Sequence, residues 1–161
     1  MNPSLTQTFK AALALVLFML AQQVKTTFAQ GPPVEVHDMF VVSDICRFPV
    51  LVEIDGKSKA ITLPGDRIIA TSPAVTATLT NLDNPVHHET LGITGSFHLT
   101  FLANGNADFV VTGRNLLAGF GPEAPFVISI GRFTFTIDPD GNVVAPVSGR
   151  GQLVDVCALL E

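Results

Sequence analysis

LGITGSFHLTFLA, residues 91–103, alternates apolar and polar side chains almost without a fault. Leu91, Ile93, Phe97, Leu99 and Phe101 fall on one face, and Thr90, Thr94, Ser96, His98 and Thr100 on the other. A period of two marks a strand that is half in a core and half in water. Upstream, Phe48, Val50, Val52 and Ile54 share a face opposite Arg47, Leu51, Glu53 and Asp55, and Val75, Ala77 and Leu79 alternate with Thr76, Thr78 and Thr80. No stretch beyond residue 30 carries a 3.6-residue apolar stripe of helix length. The pattern predicts an all-β fold.

The turns are signed by residues that tolerate positive φ. Asp55-Gly56, Asn104-Gly105 and Asp140-Gly141 sit between alternating runs and read as hairpin turns. Pro64-Gly65-Asp66 and Asp83-Asn84-Pro85 mark two more. The phase slips once, at Gly131: Phe126, Ile128 and Ile130 share a face before it, and Phe133, Phe135 and Ile137 after it. Such a slip at a glycine predicts a β-bulge. An internal hairpin repeat is also visible. Gly95, Phe97, Thr100, Gly105, Asn106, Val111, Gly113, Arg114 and Leu117 recur at a constant offset as Gly131, Phe133, Thr136, Gly141, Asn142, Val147, Gly149, Arg150 and Leu153. Short turns between neighbours predict an antiparallel meander of about eight strands that closes as a barrel to hide its edges, with a two-sheet sandwich as the alternative.

Composition bounds the rest. The 161 residues carry 14% charged and 47% hydrophobic side chains, with 12 Phe and neither Trp nor Tyr, which excludes a disordered chain, a collagen or a coiled coil. Lys10, the apolar run Ala11 to Ala21 and the small residues Thr27 and Ala29 read as a secretory signal over 1–29, followed by one domain over 30–161. That run is about half the ~20 apolar residues a membrane helix needs. No second apolar span follows, so the mature chain is expected to have no membrane span. The net charge is −5, and it becomes more negative once Lys10 and Lys25 leave with the signal. This argues against a nucleic-acid partner. Cys46 and Cys157 are the only cysteines, and in an exported chain they are expected to form one disulfide joining the start of the domain to its end.

The segments Cys46-Arg47-Phe48-Pro49-Val50, Thr112-Gly113-Arg114-Asn115-Leu116-Leu117, Gly131-Arg132-Phe133-Thr134-Phe135 and Asp155-Val156-Cys157-Ala158-Leu159-Leu160 resemble a family of small secreted bacterial proteins. That family has no assigned activity, so the resemblance implies export and paired cysteines and carries over no catalytic residue.

Chemistry has few places to hide. His87-His88-Glu89 is the densest titratable cluster, and only His87 and Glu89 share a strand face. A metal needs three or four converging ligands, and His37-Asp38 is the only other supplier, so neither a metal nor a cofactor is expected. Ser96 and His98 are neighbours on one face but too loosely spaced for a nucleophile and its base. Arg114 and Arg150 occupy equivalent repeat positions, either as matched anion sites or paired with a local acid such as Asp108 or Asp155. Asn115 to Pro125 reads as a long glycine-rich loop whose Leu116, Leu117 and Phe120 either plug the core or face a ligand or partner.

Three functions follow in order. The first is a secreted, disulfide-closed, non-catalytic module of the envelope or extracellular space, presenting an apolar patch near Phe120 or a flat polar sheet to a cell-surface partner. The second is a barrel holding a small apolar ligand. The third is a barrel isomerase or hydrolase using His87, Glu89 or His98, so the reading leans away from an enzyme.

Overall fold

The computed structural model describes residues 31–118 and 126–161. The expected signal, residues 1–29, and Phe120 lie outside them. Eight antiparallel strands form one sheet: β1 (Val34–Val42), β2 (Val50–Leu63), β3 (Arg67–Asn81), β4 (His88–Gly92), β5 (Ser96–Phe101), β6 (Ala107–Leu117), β7 (Val127–Ile137) and β8 (Val143–Asp155). A single turn of helix, α1 (Val156–Leu159), follows β8, with the Asp155 carboxylate accepting from the Cys157 and Ala158 amides at its start. Among the described residues no helix is long and apolar enough to cross a membrane.

The strands pair as the meander predicts, in the order β1-β2-β3-β5-β6-β7-β8, with β4 on β3. The expected closure into a barrel does not occur: β1 and β8 are the two ends of that order and do not pair with each other. β4 and β5 both run antiparallel to β3, β4 against Thr76–Thr80 and β5 against Arg67–Thr71. They are one strand in two pieces. The break lies opposite Pro73, which has no amide to give a ladder. Two backbone bonds, from Ile93 to the Val75 carbonyl and from Ser72 to the Gly95 carbonyl, span it. The face predicted for residues 91–101 is not continuous across this break: Leu91 and Ile93 pack against the cluster around Val52 and Leu79, whereas along β5 Leu99 is buried, Phe97 half-buried and Phe101 exposed.

At the same level the sheet divides. β6 pairs with β5 as far as Thr112, and from Gly113 to Leu117 it continues with β7 alone. Gly113, Gly131 and Gly151 are register partners across β6, β7 and β8, each with positive φ. A Cβ on Gly131 would collide with the Arg150 carbonyl oxygen. The missing side chains let three adjacent strands bend together. The bend has a clear result. Ile128 of β7, with Phe126 just before it, joins Val50 and Val52 of β2 and Ala77 and Leu79 of β3 in one buried cluster. β7 lies three strands from β3 along the sheet, ~14 Å if the sheet were flat, so these contacts require it to fold over on itself. Val42, Val156 and Leu160 complete the cluster. The Cys46–Cys157 disulfide, with Cα atoms 5.3 Å apart, ties the β1–β2 connection to α1 beside it.

Several local expectations change. Asp55-Gly56 is no turn; it lies inside β2, where Gly56 faces Val75 and a Cβ would strike the Ala74 carbonyl. No bulge occurs at Gly131, since the β6–β7 register runs unbroken through it; the irregularities of β7–β8 lie between Thr134 and Ile137. The apparent phase slip has another cause: residues 126–129 are buried on both faces, whereas beyond Arg132 only the face of Phe133, Phe135 and Ile137 is buried. Asn115–Leu117 belongs to β6 rather than to a loop. The other turns stand as read. The Asn104-Gly105 and Asp140-Gly141 turns are built alike: Leu102 donates its N–H to the Asn106 carbonyl and accepts from Gly105, as Asp138 donates to Asn142 and accepts from Gly141. The likeness of the two hairpins does not extend along their strands, for Phe97 faces Val111 whereas its counterpart Phe133 faces Gly149 rather than Val147.

Candidate functional site

The even-numbered face of β6 and β7 is buried at Ile128, half-buried at Leu116 and Ile130, and exposed at Arg114, Arg132 and Thr134. Register partners share a face, so the open part can be read across five strands: Thr71, Ser96, Thr112, Arg132 and Arg150 form one row through β3, β5, β6, β7 and β8. The Ser96 and Thr112 hydroxyls are bonded to each other at 2.7 Å. Arg114 pairs with Ile130 and so sits diagonal to Arg132, ~7–8 Å away, while Arg132 and Arg150 are directly opposite, with Cβ atoms ~5 Å apart. The next row holds His98, Val110, Thr134 and Ser148.

The three arginines are exposed. Among the described residues none of them makes a hydrogen bond or ion pair; the one ion pair present is His37 with Asp55, 2.6 Å across β1 and β2 at the surface. The local acids expected to neutralise Arg114 and Arg150 are engaged elsewhere. Asp108 accepts the Thr136 hydroxyl at 2.7 Å, and Asp155 caps α1. Like charges directly opposite on a sheet repel, by on the order of 1 kcal/mol even at the dielectric of water. Folding gains nothing from that arrangement. A side-chain set that costs stability and lacks an internal partner is the pattern of a contact surface.

Beside this row, where the sheet divides, is an open cleft of ≈ 260 Å³ lined by Thr71, Ser72, Thr94, Ser96, Thr112 and Gly113. Asn115 packs against two residues of its lining, Gly95 and Thr112. Asn115 is 2% exposed, its amide donates to the Thr112 carbonyl at 3.0 Å, and a Cβ on Gly95 would overlap it. The cleft is open and below the ~300–1,000 Å³ of a drug-sized ligand site. Phe109, Phe133 and Phe135 are buried, the first and last stacked at 4.7 Å, and fill the face on which an apolar ligand was expected.

Of the residues singled out in the sequence, Arg114, Arg150 and His98 come to this one face, together with Ser96. His87 and Glu89 do not join them. Glu89 faces Leu79 and His98 faces Ile69 on β3, ~30 Å apart along an extended strand, so the proposed acid–base set does not converge. His88 donates from Nδ1 to the Pro85 carbonyl at 3.3 Å, as an exposed strand-end residue. No group of three His, Cys, Asp or Glu that could hold a metal occurs among the described residues. Leu117 is buried and Leu116 half-buried against the core, so neither presents an exposed patch. Arg132 was missed. It has no repeat equivalent, since the matching position is Ser96, and only the strand register sets it opposite Arg150.

No known protein family, curated protein or solved structure matches the chain.

Proposed function

We propose that the chain is a non-catalytic interaction module of the envelope or extracellular space, and that the arginine and hydroxyl face of β5–β8 is its contact surface. The observation that carries this reading is the row Thr112, Arg132 and Arg150 with Arg114 beside it: exposed cations set against one another on one sheet face without internal partners. The chain's overall negative charge keeps that face distinct, for the acids of β1 and β2, Glu35, Asp38, Glu53 and Asp55, lie on the far strands of the sheet. The Cys46–Cys157 disulfide supports an oxidising compartment, as export by a signal at 1–29 and membership of the small secreted family both require. The partner is a component of a cell surface that carries negative charge.

The test is retention of the purified full-length secreted product on washed envelope fractions of the producing cell, at low and at physiological salt. Retention that drops at higher salt and falls at least tenfold in the Arg132→Gln, Arg150→Gln pair is expected. Free passage of the unaltered chain, or equal retention of the variant, contradicts the reading.

A further inference from the structure

We infer that Arg114, Arg132 and Arg150 form a receptor for one phosphate monoester group. The inference rests on the interaction-module reading above and names the chemistry of its contact. Three features of the face point to a small, doubly charged oxyanion rather than to a long polyanion. Three cations form one compact cluster: Arg132 opposes Arg150 across one strand pair, and Arg114 is one diagonal step away. The row then continues into hydroxyls, Thr112 and Ser96, and into Thr71 at the cleft, with no further cation along it. Asp108, two positions along β6 from Val110 on the same face, bounds the patch and would repel a chain of phosphates laid along the strands. Arg67 and His98 share this face. Arg67 is tied by Nε to the Pro64 carbonyl at 3.1 Å, and His98 sits a row away, between Ile69 and Val110.

Charge chooses among oxyanions. A phosphate monoester carries about −1.5 to −2 at pH 7 and presents three acceptor oxygens, while a sulfate ester or a phosphate diester carries one charge. Guanidinium forks match those oxygens bidentately, and the Thr112 hydroxyl beside Arg132 can donate to the same group. Three unpaired guanidiniums therefore favour the dianion. Its second ionisation lies near pH 6, so binding weakens as the pH falls below about 6.

The experiment follows backbone amide and arginine Nε–Hε signals of the full secreted chain as methyl phosphate is added at constant ionic strength, set with chloride. Dimethyl phosphate and methyl sulfate serve as the contrasting anions. The result expected is a saturable shift centred on Thr112, Arg114, Arg132 and Arg150, at least tenfold tighter for methyl phosphate than for either monoanion and weaker at pH 5 than at pH 7. Arg132→Gln should lose at least tenfold, and Arg67→Gln should lose nothing. Because both positions are exposed, an unchanged spectrum away from the substitution shows that each variant is folded. A linear, unsaturated response, equal affinity for the three anions, or full binding by Arg132→Gln overturns the assignment. Salt-sensitive retention on envelopes without methyl phosphate binding removes this site chemistry and leaves the module reading standing, while loss of retention removes the reading itself.

Discussion

Gly131 shows how one missing side chain governs the fold. Its φ is +137°, and its Cα faces Gly113 on one side and Gly151 on the other. Gly131→Ala introduces a Cβ against the Arg150 carbonyl in a backbone region that L side chains rarely adopt. Thermal or urea unfolding should show a loss of roughly 1–3 kcal/mol. Gly92 is the control. A Cβ there meets nothing within 4 Å, and Gly92→Ala should stay within about 0.5 kcal/mol of the parent. The β7–β8 turn offers a second test, through pH. The side-chain amide and backbone N–H of Asn142 donate to Asp138 and hold its carboxyl below the ordinary carboxylate value. A depressed folded pKa gives stabilisation that is complete above the unfolded value and is lost as the pH falls through the folded one. Unfolding followed downward from about pH 4 should therefore show an acid dependence that Asp138→Asn flattens. Since the group is exposed, that dependence is small and shrinks with salt.

β7 is the element that carries the architecture. Its first half is buried on both faces and its second on one, and this change of burial reads in the sequence as a phase slip. Alternation and turn residues made the strands and four of the five turns legible, because both are local consequences of backbone geometry. What periodicity does not carry is which strand folds over which. The Asp55-Gly56 pair misled for the same reason: a glycine demanded by close approach to Ala74 has the same local signature as one demanded by a turn. The folded-over packing makes Ile128, 2% exposed, a core residue shared by distant strands. Ile128→Ala should cost about 2–5 kcal/mol in equilibrium unfolding. Val144→Ala on β8, where the side chain is 52% exposed, should cost less than about 0.5 kcal/mol.

Across the whole molecule, the two cysteines were the most legible feature, since a single pair leaves one intramolecular connectivity. They close a loop of 111 residues between the β1–β2 connection and α1. Replacing both by serine should lower stability by about 2–5 kcal/mol while leaving the far-UV signature of the strands in place. The arginine face was legible in part. Arg114, Arg150 and the Ser96–His98 ladder each stood out along the chain, but their union on one surface, and the presence of Arg132 at its centre, depend on register between strands that sequence spacing does not contain. The open sheet was not legible for the same reason: whether β1 meets β8 is a relation between strands, not a property of either one.

The bend at Gly113, Gly131 and Gly151 places the arginine face outward and the start of β7 inward. The direct measurement is a nuclear Overhauser map of the methyl-labelled, oxidised chain. Cross-peaks from Ile128 methyls to Val52 and Leu79, with no backbone contacts between β1 and β8, are predicted. Cross-strand contacts pairing Val34–Val42 with Val143–Asp155, and none from Ile128 to β2 or β3, would describe a closed barrel and contradict it.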